Sequence, residues 1–209
     1  MTDVTTVRRD DLAAGPKDKA IQAIKAGQKE EAIRQIEAMI QEWHSLHDRL
    51  VETSNIFASF IAERLGEEAV GDAWHAVAHG PYKEAFRNLL KLSPVDITNF
   101  VCSAMRAHHC QFHVEEDPEK FVVILDFCGS GGMLQKTGKA EGRRTRAPYV
   151  WSDGQVGVSY YCVHESAFVA LARELGYSTL DIKYCSQFSD SGTPTDEAPC
   201  RFIVYKQNH

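Results

Sequence analysis

The stretch QKEEAIRQIEAMIQEWHSLHDRLVETSNIFASFIAERL, bounded by Gly27 and Gly66, carries apolar residues at three- and four-residue spacing. That period gathers side chains on one side of a helix and on no other regular structure. Ile33, Ile36, Ile40, Trp43, Leu46 and Leu50 form one stripe. Such a stripe needs a partner, which a small bundle of this chain or a second copy in a homodimer supplies equally well. The helical pattern continues on both sides. KDKAIQAIKA closes at Gly27, EEAVGDAWHAVAH runs to Gly80-Pro81, YKEAFRNLLKL ends before Ser93-Pro94, and VDITNFVCSAMRAHH follows with Ser93 or Asp96 near its start.

Beyond His109 the period changes. QFHVEED and KFVVILDF, separated by Asp117-Pro118-Glu119, predict a hairpin. PYVWSDGQVGVSYYCVH predicts strand, turn and strand, and ESAFVALAREL a helix closed by Gly176. STLDIKYCSQF and CRFIVYK predict two more strands, joined by the loop SDSGTPTDEAP. The expected fold is α+β: an N-terminal helical bundle followed by a mostly antiparallel sheet with one or two helices. Residues 1–16 are expected as a flexible N-terminus, 17–94 as the helical region and 95–209 as a Cys/His-rich α+β domain. A polar loop between Gly129 and Pro148, carrying Lys136, Lys139, Arg143, Arg144 and Arg146, is expected to be mobile.

Charge and hydropathy narrow the function classes. With 23 Lys and Arg against 29 Asp and Glu, the net charge is −6, which argues against affinity built on phosphate neutralisation and hence against a nucleic-acid partner. The polar N-terminus lacks a signal-peptide core, and no 18-residue apolar run exists, so a cytoplasmic protein without a membrane partner is expected. The six cysteines, Cys102, Cys110, Cys128, Cys162, Cys185 and Cys200, are then thiols or metal ligands before they are disulfides.

FCGSGG, at the end of the apolar run FVVILDF, admits three chemistries. As a phosphate cradle it lacks the Gly-Lys-Ser/Thr that nucleotide loops require, so only a weak anion nest survives. As a nucleophile, Cys128 needs a lowered pKa and a base, which His109, His113 or His164 could supply, with the GSGG amides as an oxyanion hole. As a metal corner it draws on more residues. HHCQFH places three histidines and a cysteine within six positions, and CVH pairs Cys162 with His164 at the two-residue spacing that points both to one face of a strand. Cys128, Cys162 and His164, completed by His109 or His113, form a donor set that suits zinc or iron(II). Glu165, just after His164, serves as proton shuttle or simply as a first-turn acid. Cys102 reads as core, and Cys110 and Cys185 divide evenly between core and site. His75 and His79 have the four-residue spacing of a zinc pair but lack the glutamate of HExxH. His47, beside Asp48, and Arg143 and Arg144 of the basic loop are candidates for substrate binding.

The ending from Gly176 to Tyr205, a strand, a polar loop and then APCRFIVYK, resembles the end of 4-vinyl reductase-type small-molecule-binding domains and of the L-2-amino-thiazoline-4-carboxylate hydrolase family. The resemblance covers the last third of the chain. It implies a helical region before a compact α+β domain, an enclosed small-molecule pocket with metal- or thiol-based chemistry, and Cys200 as a further metal ligand or site residue. The expected function is a metal-dependent enzyme, using zinc or iron(II), that hydrolyses or cleaves a small anionic molecule, with Glu165, His109 and Cys128 catalytic. The alternatives are a hydrolase with Cys128 as nucleophile and no metal, and a small-molecule sensor with a structural metal.

Overall fold

A computed structural model describes residues 13–185 and 199–207. The N-terminal stretch up to Leu12 and most of the loop SDSGTPTDEAP lie outside these residues. The chain forms two compact units whose boundary lies between Arg49 and Leu50, inside its longest helix.

In the first unit, α1 (Pro16–Lys25) opens with proline at its first helical position. It closes at Gly27, whose φ of 71° lets the Gln28 amide return to the Ala23 carbonyl at 2.9 Å. The helix α2 (Lys29–Leu65) then begins. Ile33, Ile36, Ile40, Trp43 and Leu46 of the predicted stripe are exposed, whereas Ala20, Ala23 and Ala32 are buried.

In the second unit, α2 ends before Gly66 and is followed by α3 (Glu68–His79), α4 (Lys83–Leu89) and α5 (Pro94–Ala107). Ser93 caps α5 by accepting the Asp96 amide at 3.2 Å. The hairpin β1 (Gln111–Glu116) and β2 (Lys120–Phe127) turns at Asp117, whose Oδ1 accepts the amides of Glu119 and Lys120 at 2.8 and 2.9 Å. A short helix α6 (Gly131–Lys136), a 3₁₀ turn at Val150–Ser152, α7 (His164–Glu174), β3 (Leu180–Lys183) and β4 (Arg201–Tyr205) complete the order. The four strands form one antiparallel sheet in the order β1-β2-β4-β3. Helix α5 packs against β2, β4 and β1, while α7 packs against β3, α3 and α4. Phe121, Val123 and Leu125 of β2 alternate into the core, with Val123 and Val204 fully buried.

Two expectations are corrected. PYVWSDGQVGVSYYCVH is not strand, turn and strand: beyond one isolated bridge, Arg144 with Ser159, it is turn and 3₁₀ structure. Long-range side-chain bonds hold it instead. Glu67 accepts the amide and Nε of Arg146 at 3.2 and 3.0 Å and the Tyr160 hydroxyl, and Trp74 Nε1 donates to the Tyr160 carbonyl at 2.8 Å. The basic loop is tied down by the same means, with Lys139 on Glu52 at 2.6 Å and Arg144 on Gln135.

Candidate thiol site

Antiparallel pairing brings four cysteines to one end of the sheet. Cys110 immediately precedes β1, Cys128 immediately follows β2, Cys200 immediately precedes β4, and Cys185 stands two residues beyond β3. The register fixes this: Gln111 pairs with Phe127, Ile124 with Arg201, and Lys183 with Arg201. The fifth, Cys162, arrives from the turn before α7. Cys110, Cys128, Cys162 and Cys200 line one small cavity of about 50 Å³, together with His108, Ser130, Tyr161, His164, Glu165 and Tyr184.

The chain makes two close approaches around Cys128. A β-carbon on Gly129 would stand 2.1 Å from the His108 carbonyl oxygen, so only glycine lets β2 exit against the end of α5. A β-carbon on Gly131 would stand 2.4 Å from Cys162 Sγ and 3.9 Å from Cys128 Sγ, so the bare backbone here makes room for both sulfurs. The Cys110 thiol, which donates to the His108 carbonyl at 3.7 Å, and the backbone amides of Gly132, Ser130 and Gly131 all bear on the charge of Cys128 Sγ. The Cys110 thiol acts first, against the opposing effect of burial, and the amides add to it; together they bring the Cys128 pKa down to about 7. The other thiols move the opposite way. Cys110 is raised by its neighbour Cys128 and by burial, Cys162 by burial and the Cys128 charge, and Cys200 by its neighbour Cys185 and by burial. Cys128 is therefore the thiol of the cluster that ionises first.

A second charged pair faces the same cavity. His164 Nε2 lies 3.0 Å from Glu165 Oε1, and its Nδ1 donates to the Tyr161 carbonyl at 2.6 Å. Burial pulls Glu165 upward and His164 downward, but their mutual attraction outweighs it: the carboxyl sits below and the imidazole above its usual value. Each member of the pair thus favours the charged form of the other. The His164 ring is boxed by Trp74 at 5.4 Å and Tyr161 at 4.9 Å between centroids. The amide of Ser166, in the first turn of α7, donates to the Tyr184 hydroxyl oxygen at 2.9 Å, and this fixes the start of that helix.

Of the residues singled out in the sequence, the cavity gathers Cys128, Cys162, His164, Glu165 and Cys200. Cys162 and His164 arrive there on a turn and a helix start, not on one face of a strand. His109 does not line it; the histidine of HHC that does is His108, whose Nδ1 lies 2.8 Å from Ser130 Oγ. His109 follows the C-cap of α5 with φ 55°. His113 is exposed on β1 and paired with Asp126 at 2.9 Å. Arg143 and Arg144 lie outside the cavity lining. His47 belongs to the first unit, where its Nδ1 meets Asp48 at 3.0 Å. Sequence reasoning missed His108, Tyr161 and Tyr184 as lining residues. HHC contains the signal for His108, but choosing between adjacent histidines requires the helix end.

A tetrahedral zinc site with sulfur ligands near 2.3 Å needs its donors within about 4 Å of one another. Among the described residues, the one set of three His, Cys, Asp or Glu donors within 4.8 Å of one another is His75, His79 and Glu174, at the surface between α3 and α7. The cavity thiols instead engage the backbone: the Cys110 thiol donates to the His108 carbonyl at 3.7 Å, and the Cys185 amide donates to Cys200 Sγ at 2.9 Å. No family model matches the chain, and neither a curated protein nor a solved structure does.

Proposed function

We propose that the protein is a hydrolase in which the Cys128 thiolate attacks an electrophilic acyl carbon of a small molecule. The observation that carries this reading is one small cavity that holds Cys128, Cys110 and the Ser130–Gly131 backbone together with the His164–Glu165 pair, with the Cys128 pKa lowered to about 7. Attack forms the C–S bond and moves negative charge from sulfur to the acyl oxygen, beside the amides that had stabilised the thiolate. Collapse breaks the bond to the leaving group, which takes a proton from the His164 imidazolium. Water then adds to the thioester and yields its proton to the His164–Glu165 pair, which is anionic after its own proton loss and is restored by this step. The C–S bond breaks, and the Cys128 thiolate and a free acid result. Cys110 and His108 position the nucleophile and its loop.

The test is intact mass after brief mixing with 4-nitrophenyl acetate. A single acyl adduct on the wild type, absent from Cys128→Ser, is expected; equal acylation of both would reject Cys128 as nucleophile.

A second reading rests on Cys110, Cys128, Cys162, Cys200 and His164 lining the same cavity: closing up around zinc or iron(II), they would make a soft-donor metal centre with Glu165 as proton shuttle. Elemental analysis of protein purified without a metal-affinity tag separates the two. Stoichiometric metal, lost in both Cys128→Ser and His164→Ala, favours the metal centre.

A further inference from the structure

We infer that the substrate of the thiol site carries an apolar acyl group, several carbons long or aromatic, which occupies a separate cavity between α4, α5, α7 and the sheet; this rests on the Cys128 hydrolase reading. That cavity measures about 280 Å³, against about 50 Å³ beside the thiols. The larger figure approaches the ~300–1,000 Å³ of ordinary ligand pockets, whereas the smaller accommodates little beyond the reacting group. The two share a wall: Met105, His108, His164, Glu165, Ile182 and Phe202 line both. The charged pair and His108 therefore stand at the junction, where the scissile bond of a bound molecule would lie.

The walls of the larger cavity set the chemistry of the occupant. Phe86 and Leu89 of α4, Phe100 and Ala104 of α5, and Phe168 of α7 supply hydrocarbon and aromatic surface. Away from the junction, Asp181 is the one charged lining residue, and an acid there disfavours an anionic group. The expected small anionic substrate is thus replaced by one with an apolar body and its polar bond at one end. Ala85 and Ala104 line this cavity but not the thiol cavity, so enlarging them narrows the one without touching the other.

The experiment compares kcat/KM for 4-nitrophenyl acetate, butanoate, hexanoate and phenylacetate in the wild type, Ala104→Trp and Ala85→Trp. Each buried methylene is worth roughly fourfold, so hexanoate should exceed acetate on the order of 100-fold. Either tryptophan should cut that ratio below about tenfold while leaving acetate turnover within about twofold. Equal kcat/KM for all acyl lengths would overturn the inference and leave the Cys128 reading standing. Calorimetric titration of Cys128→Ala with hexanamide gives an arm independent of turnover. Binding that Ala104→Trp or Ala85→Trp abolishes supports the cavity as an acyl site, even if no ester is hydrolysed and the hydrolase reading fails. No binding of hexanamide to Cys128→Ala overturns it.

Discussion

Cys162 Sγ lies 2.4 Å from where a β-carbon on Gly131 would stand. The obstacle is a buried sulfur held on the short turn between Tyr161 and α7, so it has little room to retreat. Gly131→Ala must push apart Cys162 and the backbone whose amide serves Cys128. Overpacking of this kind costs about 1–3 kcal/mol. The expected outcome is a lower midpoint in urea together with slower alkylation of Cys128 by iodoacetamide. Unchanged alkylation in a destabilised variant would mean that the loop adapts without disturbing the thiolate.

The Cys128 thiolate makes its own pH signature. Iodoacetamide reacts with thiolate, so the alkylation rate of the wild type should rise through an apparent pKa of about 7. Cys110→Ala removes the largest stabilising influence and should move that midpoint upward, while Cys110→Ser keeps a donor and should move it less. The linkage to stability follows from a depressed folded-state pKa. The thiolate contribution is present above the unfolded thiol range and is lost as pH falls through about 7. A wild-type midpoint no lower than that of Cys110→Ala would contradict the influence of Cys110 on Cys128.

Helices α1 to α5 and the β1–β2 hairpin were legible because their signals are local: a 3.6-residue period, Ser93 at a cap, Asp117 at a turn. Residues 144–161 were not, because their conformation is set by partners far away in sequence. Glu67 on Tyr160 and Arg146, Asn55 on Ser159 and Trp74 on the Tyr160 carbonyl leave no trace in the local pattern, and the Val and Tyr content alone read as strand. The site was half legible for a related reason. Cysteines stood out individually, but their convergence depends on the strand order β1-β2-β4-β3 and on register. Cys110 and Cys185 could not be told from core residues until each was seen at the same sheet end as Cys128. The exit of α5 likewise decided between His108 and His109, since one residue of rotation turns a side chain from the cavity to the far side.

The His164–Glu165 pair should make stability fall at both ends of the pH scale. Glu165 sits below the usual carboxylate range, so its contribution is present above that range and lost as pH falls through the lowered value. His164 sits above the usual imidazole range, so its contribution is full below that range and lost as pH rises through the raised value. The window of full strength therefore lies between the two. Both side chains keep some solvent contact, at 18% and 25%, so removing one partner should cost less than the ~3–5 kcal/mol of a wholly buried pair. Thermal midpoints of the wild type and Glu165→Gln across pH should converge at acid pH and separate near neutrality. Parallel curves would show that the pair contributes nothing.

Glu67 offers the last test, because it is charged, 8% exposed and carries the fold around the site instead of the chemistry. Burial acts to raise its pKa, but the hydroxyls of Tyr160 and Tyr149 and the bonds from Arg146 win, and the carboxyl is held below its usual value. Its stabilisation is therefore present above the usual carboxylate range and disappears as pH falls through the lowered pKa. Glu67→Ala leaves the Tyr160 hydroxyl and the Arg146 amide without their acceptor, a loss of about 1–3 kcal/mol for each group that water cannot reach. Glu67→Gln keeps an acceptor and should cost less. Because Tyr160 leads directly to Tyr161 and Cys162, loosening this anchor frees the segment around Arg143–Arg146 first. Limited trypsin digestion should cut Glu67→Ala there well before the wild type, while Cys128 alkylation slows only modestly. Cleavage at equal rates would show that the segment is held by its other bonds, those of Trp74 and Asn55.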